Sequence, residues 1–261
     1  MKPLFDVCRI RENQARTASR FSEHAFLFED VENQILERLR EIKRDFSTIL
    51  LMGASTGILK DALHKRFPEA FIVSAERTSQ RFNLSLYSNR VTFNFEDWCF
   101  RADSFDLVIS TLTLHSLNDP LSHLCNIRSS LKNEGVFLGT FFGGETLKPL
   151  RDALLQTELF LTKGAHARIY PLISNEASVE LLQKANFTWP MVDVDRVMVH
   201  YEKLITLLHD LRGMGEGNAL IERSKATPSK KLFQNAEKCL ERQNGRFAIP
   251  FDVIYFTGWK G

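Results

Sequence analysis

A helical period marks the first part of the chain. In residues 26–46, apolar positions recur every three or four residues between charged ones, and this pattern predicts an amphipathic helix. Those positions are Ile35, Leu36, Leu39 and Ile42. A short apolar run at 48–52 ends at Gly53, and its length and flanking glycine predict a buried strand. Residues 1–46 are therefore predicted to form a helical segment that precedes an α/β core over 47–200.

From the first strand onward, apolar runs alternate with helical patterns. Further strands are predicted at 70–76, 90–95, 105–110 and 136–142. Helices are predicted at 58–67, 118–132, 145–160 and 174–186. This alternation is typical of right-handed βαβ units, which build a mostly parallel, Rossmann-like sheet with helices on both faces.

The last third of the chain departs from this alternation. Segments 191–201 and 251–259 are rich in Val, Ile, Phe and Tyr and predict two late strands. Helical stretches near 202–212 and 229–242 lie between them. The chain is therefore predicted to be a single domain over 1–261. A helical insertion over 201–250 interrupts its seven-stranded sheet, and 251–261 forms the last strand.

Composition narrows the possible function classes. The 34 basic and 32 acidic residues give a net charge of +2, which offers no electrostatic basis for binding nucleic acid. No apolar run approaches the roughly 18–20 residues of a membrane span, and the N-terminus has no apolar signal region. The four cysteines lack metal-ligand spacing, so we expect no metal site and reduced thiols, as in a cytoplasmic protein.

The loop at 53–57 has the composition of a ligand-binding turn. Glycine permits positive φ and a close approach by a ligand, and the following helix N-terminus offers free N–H groups. Glu76 ends the next strand, where an acid can accept the hydroxyls of a ribose. Two alternatives stay open. One is a plain strand-to-helix turn followed by a surface glutamate; the other is a hydrolase in which Ser55 of GxSxG is the nucleophile.

Several segments resemble class I S-adenosylmethionine (SAM) methyltransferases. These are ILLMGASTG with Glu76, SFDLVISTLTLHSLNDP (104–120) and LKNEGVFLGTFFGGETL (131–147). Three others are similar to the group that contains mitochondrial complex I assembly factor 5 and its bacterial relatives: FFGGETLKPLRDALLQTE (141–158), HDLRGMGEGNAL (209–220) and IYFTGWK (254–260). The biotin-pathway carrier-protein methyltransferases are more distant. The resemblance covers about residues 4–260 and implies an antiparallel last strand and a SAM pocket.

The resemblance also implies cofactor contacts for the residues that match family motifs. It places Gly53, Ala54, Ser55 and Gly57 in the cofactor loop, Glu76 and Arg77 at the ribose, Asn94, Phe95 and Glu96 at the adenine edge, and Ser110, Thr111 and His115 at the sulfonium end.

The chain departs from the family pattern at two positions in the first motif. Leu51 stands where these families usually carry an acid, and Ser55 stands where they usually carry glycine. Loss of the acid removes a charge-assisted contact of about 1.5–3 kcal/mol, or roughly one to two orders of magnitude in affinity. We therefore expect SAM binding to be weakened.

Three further residues are candidates for catalysis. His115 follows the fourth strand and could serve as a general base, or could simply pack there. Arg212 and Glu216 lie in a segment with three glycines, which is typical of a shaped loop. That loop could cover the pocket as a lid and hold a substrate, or the two residues could form a structural ion pair.

Three functions remain open. The first is SAM-dependent methylation of a protein or a small molecule by in-line displacement. The second, implied by the assembly-factor group, is hydroxylation of an arginine in a respiratory complex I subunit. The third is a binding module that keeps the fold without catalysis. We expect the protein in the cytoplasm of a bacterium, or in the mitochondrial matrix of a eukaryote.

Overall fold

The computed structural model describes residues 2–82, 89–162 and 164–261, with the side chain of Thr162 left out. Its strands are β1 (Thr48–Met52), β2 (Phe71–Glu76), β3 (Arg90–Thr92), β4 (Phe105–Ser110), β5 (Leu131–Phe142), β6 (Thr188–Tyr201) and β7 (Phe247–Trp259). Its α-helices are α1 (Val7–Thr17), α2 (Phe26–Glu41), α3 (Ile58–Arg66), α4 (Pro120–Ser130), α5 (Lys148–Thr162), α6 (Asn175–Lys184), α7 (Leu204–Met214) and α8 (Lys230–Lys238). Among these described residues, no helix has both the length and the apolar character needed to cross a membrane.

The strands form one seven-stranded sheet in the order β3-β2-β1-β4-β5-β7-β6. Pairs among the first five strands are parallel, whereas β7 runs antiparallel to both β5 and β6. The predicted mostly parallel sheet with an antiparallel last strand is therefore confirmed. This order places the carboxyl ends of β1, β2 and β4 side by side, where α/β sheets bind their ligands.

Alternate residues of β1 separate the core into two layers. Ile49 and Leu51 pack with α2, α3, α5, α7 and α8, whereas Leu50 and Met52 face α4 and α6 on the other side. All four side chains are buried, as expected of a central strand that is covered on both faces. The predicted helices on both faces are confirmed.

Several predicted boundaries were wrong. The strand predicted over 90–95 ends at Thr92, because the chain then turns at Asn94, whose carbonyl accepts a hydrogen bond from the N–H of Asp97. The predicted helix over 118–132 ends at Ser130, and β5 begins directly at Leu131.

The last two strands are longer than the prediction. Strand β6 begins at Thr188 rather than 191, and β7 begins at Phe247 rather than 251. Pro250 lies inside β7 and has no N–H to donate, and such a residue usually argues against a strand. Because β7 begins earlier, the helical insertion between these strands is shorter than the predicted 201–250.

The N-terminal segment and the insertion meet beside the carboxyl ends of the strands. The backbone N–H of Asp6 donates to the carbonyl of Ala219, and Phe5 forms an isolated β-bridge with Leu220. The segment that follows α7 is thereby tied to the start of the chain. This arrangement closes the ligand-binding edge of the sheet from one side.

Candidate functional site

The turn after β1 is shaped by contacts within the protein. Gly53 has φ +72°, and a Cβ there would lie 2.5 Å from the carbonyl oxygen of Thr111. Gly57, with φ +91°, precedes α3. The backbone of this turn therefore requires glycine at position 53 because the end of β4 packs against it.

The carboxyl group of Glu76 at the end of β2 is engaged by the loop beside it. The Oγ of Ser55 donates to Oε1 of Glu76 over 3.0 Å. Glu76 is buried, and burial raises the pKa of its carboxyl group from 4.5 to about 8, although Arg81 and the Ser55 hydrogen bond act in the opposite direction. The position expected to receive a ribose already has a hydrogen-bond partner.

The N-terminus of α3 is capped by a carboxylate from α2. Glu32 accepts from the backbone N–H groups of Thr56, over 3.3 Å, and Leu59, over 3.1 Å, and from the hydroxyl of Thr56. Glu32 is fully buried, and its burial raises the pKa of the carboxyl group to about 7. Because free N–H groups at a helix N-terminus make an anion site, this cap occupies the place where an anionic ligand group could bind.

Arg77 lies against the ring that was predicted to border adenine. Its guanidinium carbon is 4.8 Å from the centre of the Phe95 ring, and its Nη2 donates to the carbonyl of Thr113 and to the hydroxyl of Ser116. Only 2% of Arg77 is exposed. The cation therefore covers an aromatic face that an adenine could otherwise use.

Arg81 closes the site on the side of the insertion. Its Nη2 donates to the carbonyl of Met214 over 2.5 Å, and its guanidinium lies 3.9 Å from the centre of the Phe21 ring. A Cβ on Gly215, which has φ +89°, would lie 2.5 Å from the same Nη2. The glycine-rich segment after α7 is thus folded closely around the side chain of Arg81.

These contacts leave little space at the strand ends. One cavity of about 20 Å³ is lined by Gly53, Ser55, Glu76, Arg77, Arg81, Phe95 and Thr111, among others. A second of about 20 Å³ is lined by Ala54, Gly57 and Glu76, among others. Each has room for about one water molecule, whereas pockets for ligands of drug size measure roughly 300–1,000 Å³. Neither cavity holds S-adenosylmethionine in this arrangement of side chains, so Arg77 and Arg81 would have to move before the cofactor could enter.

The structure does not bring every predicted cofactor residue to these cavities. Asn94 and Asp97 hydrogen bond to each other in a local turn, and Oε1 of Glu96 accepts from the backbone and side chain of Asn118. The hydroxyl of Ser110 is buried against that of Thr113. Asn94 and Glu96 lie on either side of the buried Phe95 in the chain, but neither of them lines either cavity.

His115 and Glu216 meet at a larger cavity, and Glu216 also lines the small cavity at Glu76. Nε2 of His115 lies 3.1 Å from Oε2 of Glu216, and its Nδ1 is buried without a partner among the described residues. Both residues line a cavity of about 190 Å³, which we call the inner cavity. Arg212 also lines it but makes no ion pair with Glu216. The predicted alternative of a structural Arg212–Glu216 pair was wrong, because His115 takes the carboxylate.

Sequence reasoning missed Glu32 and Arg81. Glu32 lies one helical turn from Phe28 and Leu36, so an acid stands on the apolar face of a predicted amphipathic helix. A charged residue on an apolar helix face indicates a buried polar contact, so the sequence did contain a signal for Glu32. Arg81 follows Glu76 by only five residues, but nothing in its neighbourhood indicates that it turns inward. In the described part of the chain, no group of three or more His, Cys, Asp or Glu side chains is arranged to hold a metal ion.

Comparisons with known proteins agree with this fold. The methyltransferase domain family matches residues 23–192. The human mitochondrial protein named arginine-hydroxylase NDUFAF5 is 30% identical in an alignment of 266 positions. The alignment covers 98% of this chain and 76% of that protein. A malonyl-[acyl-carrier protein] O-methyltransferase from Laribacter hongkongensis is 25% identical, over 98% of this chain and 90% of its own.

A solved structure extends the similarity to the whole fold. The Haemonchus contortus phosphoethanolamine N-methyltransferase 2, solved with S-adenosylhomocysteine, aligns with a TM-score of 0.56 at 14% identity over 96% of this chain and 60% of that one. At this identity the likeness concerns the fold alone. The family match over 23–192 and the 30% identity to the human protein show that the chain belongs to the methyltransferase domain family and is a homologue of the NDUFAF5 arginine-hydroxylases.

Proposed function

We propose that this protein uses the methyltransferase fold as a binding module, holding a ligand at the inner cavity without transferring a methyl group from SAM. One observation carries the proposal: the chain's own groups engage the positions that would contact an adenosyl ligand. Ser55 holds Glu76, Arg77 covers Phe95, and Glu32 caps α3. This is the third of the functions that the sequence left open.

The cost of opening the site supports the proposal. An adenosyl ligand would have to displace Arg77 and Arg81, which are 2% and 5% exposed. Their removal would leave Glu76 without its nearest cations in a buried place. The apparent affinity of a ligand falls in proportion to the fraction of molecules in the open state. Weakened contacts at Leu51 and Ser55 add to this loss.

The resemblance to complex I assembly factor 5 supplies a class of partner. We propose a respiratory complex I subunit as that partner, in a bacterial cytoplasm or a mitochondrial matrix. The NDUFAF5 relatives are named as arginine-hydroxylases. A mass gain of one oxygen on a partner arginine would show hydroxylation and contradict the binding-module function, which leaves the mass of the partner unchanged.

Methyl transfer is the second candidate, and one feature favours it. Nη1 of Arg77 and Oγ1 of Thr111 are buried without a partner among the described residues, and both residues line the small cavity at Glu76. Buried polar atoms usually have a partner. An adenosyl ligand that displaced Arg81 would bring polar atoms to both groups.

Equilibrium dialysis against radiolabelled SAM tests the proposal. We expect no retained label above the free concentration at millimolar SAM. Retention at micromolar SAM would contradict the binding-module function and favour methyl transfer. A denatured sample of the same protein serves as the control for nonspecific binding of the label.

A further inference from the structure

The inner cavity is an apolar space with polar groups at one side. Six of its apolar lining residues are Leu150, Leu154, Leu208, Leu211, Phe233 and Phe251. At about 190 Å³ it is smaller than a typical pocket for a whole ligand. It is therefore suited to one apolar part of a larger molecule.

A second, larger space adjoins it. This outer cleft measures about 790 Å³ and shares Arg168, Arg212, Gly217, Asn218 and Pro228 with the lining of the inner cavity. The five common residues place the two spaces side by side, so one ligand would reach both by passing between these side chains.

The outer cleft is strongly basic. Its lining holds six cationic side chains, Arg9, Arg16, Arg168, Arg212, Arg223 and Lys225, and no Asp or Glu of the described chain. Three of these cations have carboxylate partners nearby: Arg9 pairs with Glu12, Arg168 with Glu158 and Arg223 with Asp6. The other three have no carboxylate partner among the described residues, so the cleft keeps an excess of positive charge.

Those three cations are available for an anion. Arg16 donates to the neutral side chain of Asn13. The side chains of Arg212 and Lys225 make no hydrogen bond or ion pair with any residue that the structure describes, and both residues are exposed. A phosphate monoester carries about −1.5 to −2 charges and three strong acceptor oxygens, which matches three cations without a carboxylate partner among the described residues better than a carboxylate does.

The linings of the two spaces set the direction in which such a ligand would enter. The inner cavity is mostly apolar, and the carboxylate of Glu216 beside His115 offsets the charge of Arg212 there. An anionic head is attracted to the six cations of the outer cleft, whereas an apolar chain loses water by entering the inner cavity.

We propose that the two spaces together bind a single-chain amphiphile with a phosphate head, the head in the outer cleft and the chain in the inner cavity. The inference deepens the proposed function by naming the ligand class of the same cavity. It does not require SAM, so SAM binding would overturn the proposed function and leave this site standing.

Calorimetric titration of the full chain with octyl phosphate tests the proposal. We expect octyl phosphate to bind at least tenfold more tightly than either octyl glucoside, which lacks the charge, or inorganic phosphate, which lacks the chain. Equal affinity for octyl phosphate and inorganic phosphate would overturn the role of the inner cavity. Equal affinity for octyl phosphate and octyl glucoside would overturn the role of the outer cleft.

Variants separate the two halves of the site. Arg212→Gln combined with Lys225→Gln should weaken octyl phosphate binding about tenfold or more, whereas Lys43→Gln, an exposed lysine outside both spaces, should leave it unchanged. Leu208→Trp should reduce the affinity to that of inorganic phosphate by filling the inner cavity. If that variant does not fold, Leu154→Phe provides the same test. Unchanged affinity in the folded filling variant would overturn the proposal.

Discussion

The hydroxyl of Ser55 donates to the carboxyl group of Glu76 over 3.0 Å and joins the loop after β1 to the end of β2. The resemblance assigned both residues to the cofactor. In the folded chain they hydrogen bond to each other, and Arg81 contributes a positive charge beside them. The hydroxyl of Ser55 thus takes the place that a ligand hydroxyl would have at the carboxyl group of Glu76.

Burial of Glu76 makes stability depend on pH. The pKa of its carboxyl group is about 8 in the folded protein against 4.5 as the reference for the unfolded chain. Between these values the unfolded state releases a proton that the folded state keeps, so the free energy of unfolding falls as pH rises. From pH 5 to 8 we expect a loss on the order of 4 kcal/mol from this group.

Glu76→Gln should remove most of that pH dependence. Urea unfolding of the wild type and the variant at pH 5 and pH 8 measures it. A smaller slope of the same sign should remain, because burial also raises the pKa of Glu32, to about 7. Identical pH slopes for the wild type and Glu76→Gln would show that the Glu76 carboxyl group titrates normally.

Glu32→Ala should lower the stability of the protein, because the side chain of Glu32 is buried and caps α3. The substitution leaves the N–H groups of Thr56 and Leu59 and the hydroxyl of Thr56 without their carboxylate. We expect a loss of about 2–3 kcal/mol in the free energy of unfolding. Glu29→Ala, an exposed acid on the same helix, should change it by no more than about 0.5 kcal/mol. Equal effects would argue against the cap.

Two glycines with similar backbone angles should respond differently to alanine. Gly53 (φ +72°) would place a Cβ 2.5 Å from the oxygen of Thr111, whereas Gly245 (φ +79°) has no atom within 4 Å of that position. Gly245→Ala should cost about 1 kcal/mol from backbone strain alone. Gly53→Ala should cost at least about 2 kcal/mol more, because the end of β4 must also shift. Thermal unfolding of both variants compares them, and equal melting temperatures would remove the steric argument.

Much of the fold could be predicted because apolar periodicity is a local signal. The run at Thr48–Met52 and the glycine after it identified β1, and the alternation of strands and helices indicated the parallel sheet. Pro250 hid the start of β7, since a strand interior rarely contains proline. The early end of β3 depends on a local turn at Asn94.

The candidate site was less predictable because its state depends on contacts between distant segments. Glu76 was correctly located at a strand end, but the positions of Arg77 and Arg81 depend on Phe95, Thr113 and Met214. Those partners come from three other parts of the chain. A single sequence gives the type of each residue without the direction in which a long side chain turns.

Arg77 and Arg81 fill the site that an adenosyl ligand would need. Calorimetric titration with S-adenosylhomocysteine, run side by side on the wild type and on Arg77→Ala/Arg81→Ala, tests this most directly. Arg11→Ala/Arg101→Ala, which removes two exposed arginines, is the matched control. We predict no saturable heat at millimolar ligand for the wild type and the control, and saturable binding for the folded double variant. Micromolar binding by the wild type would contradict the claim.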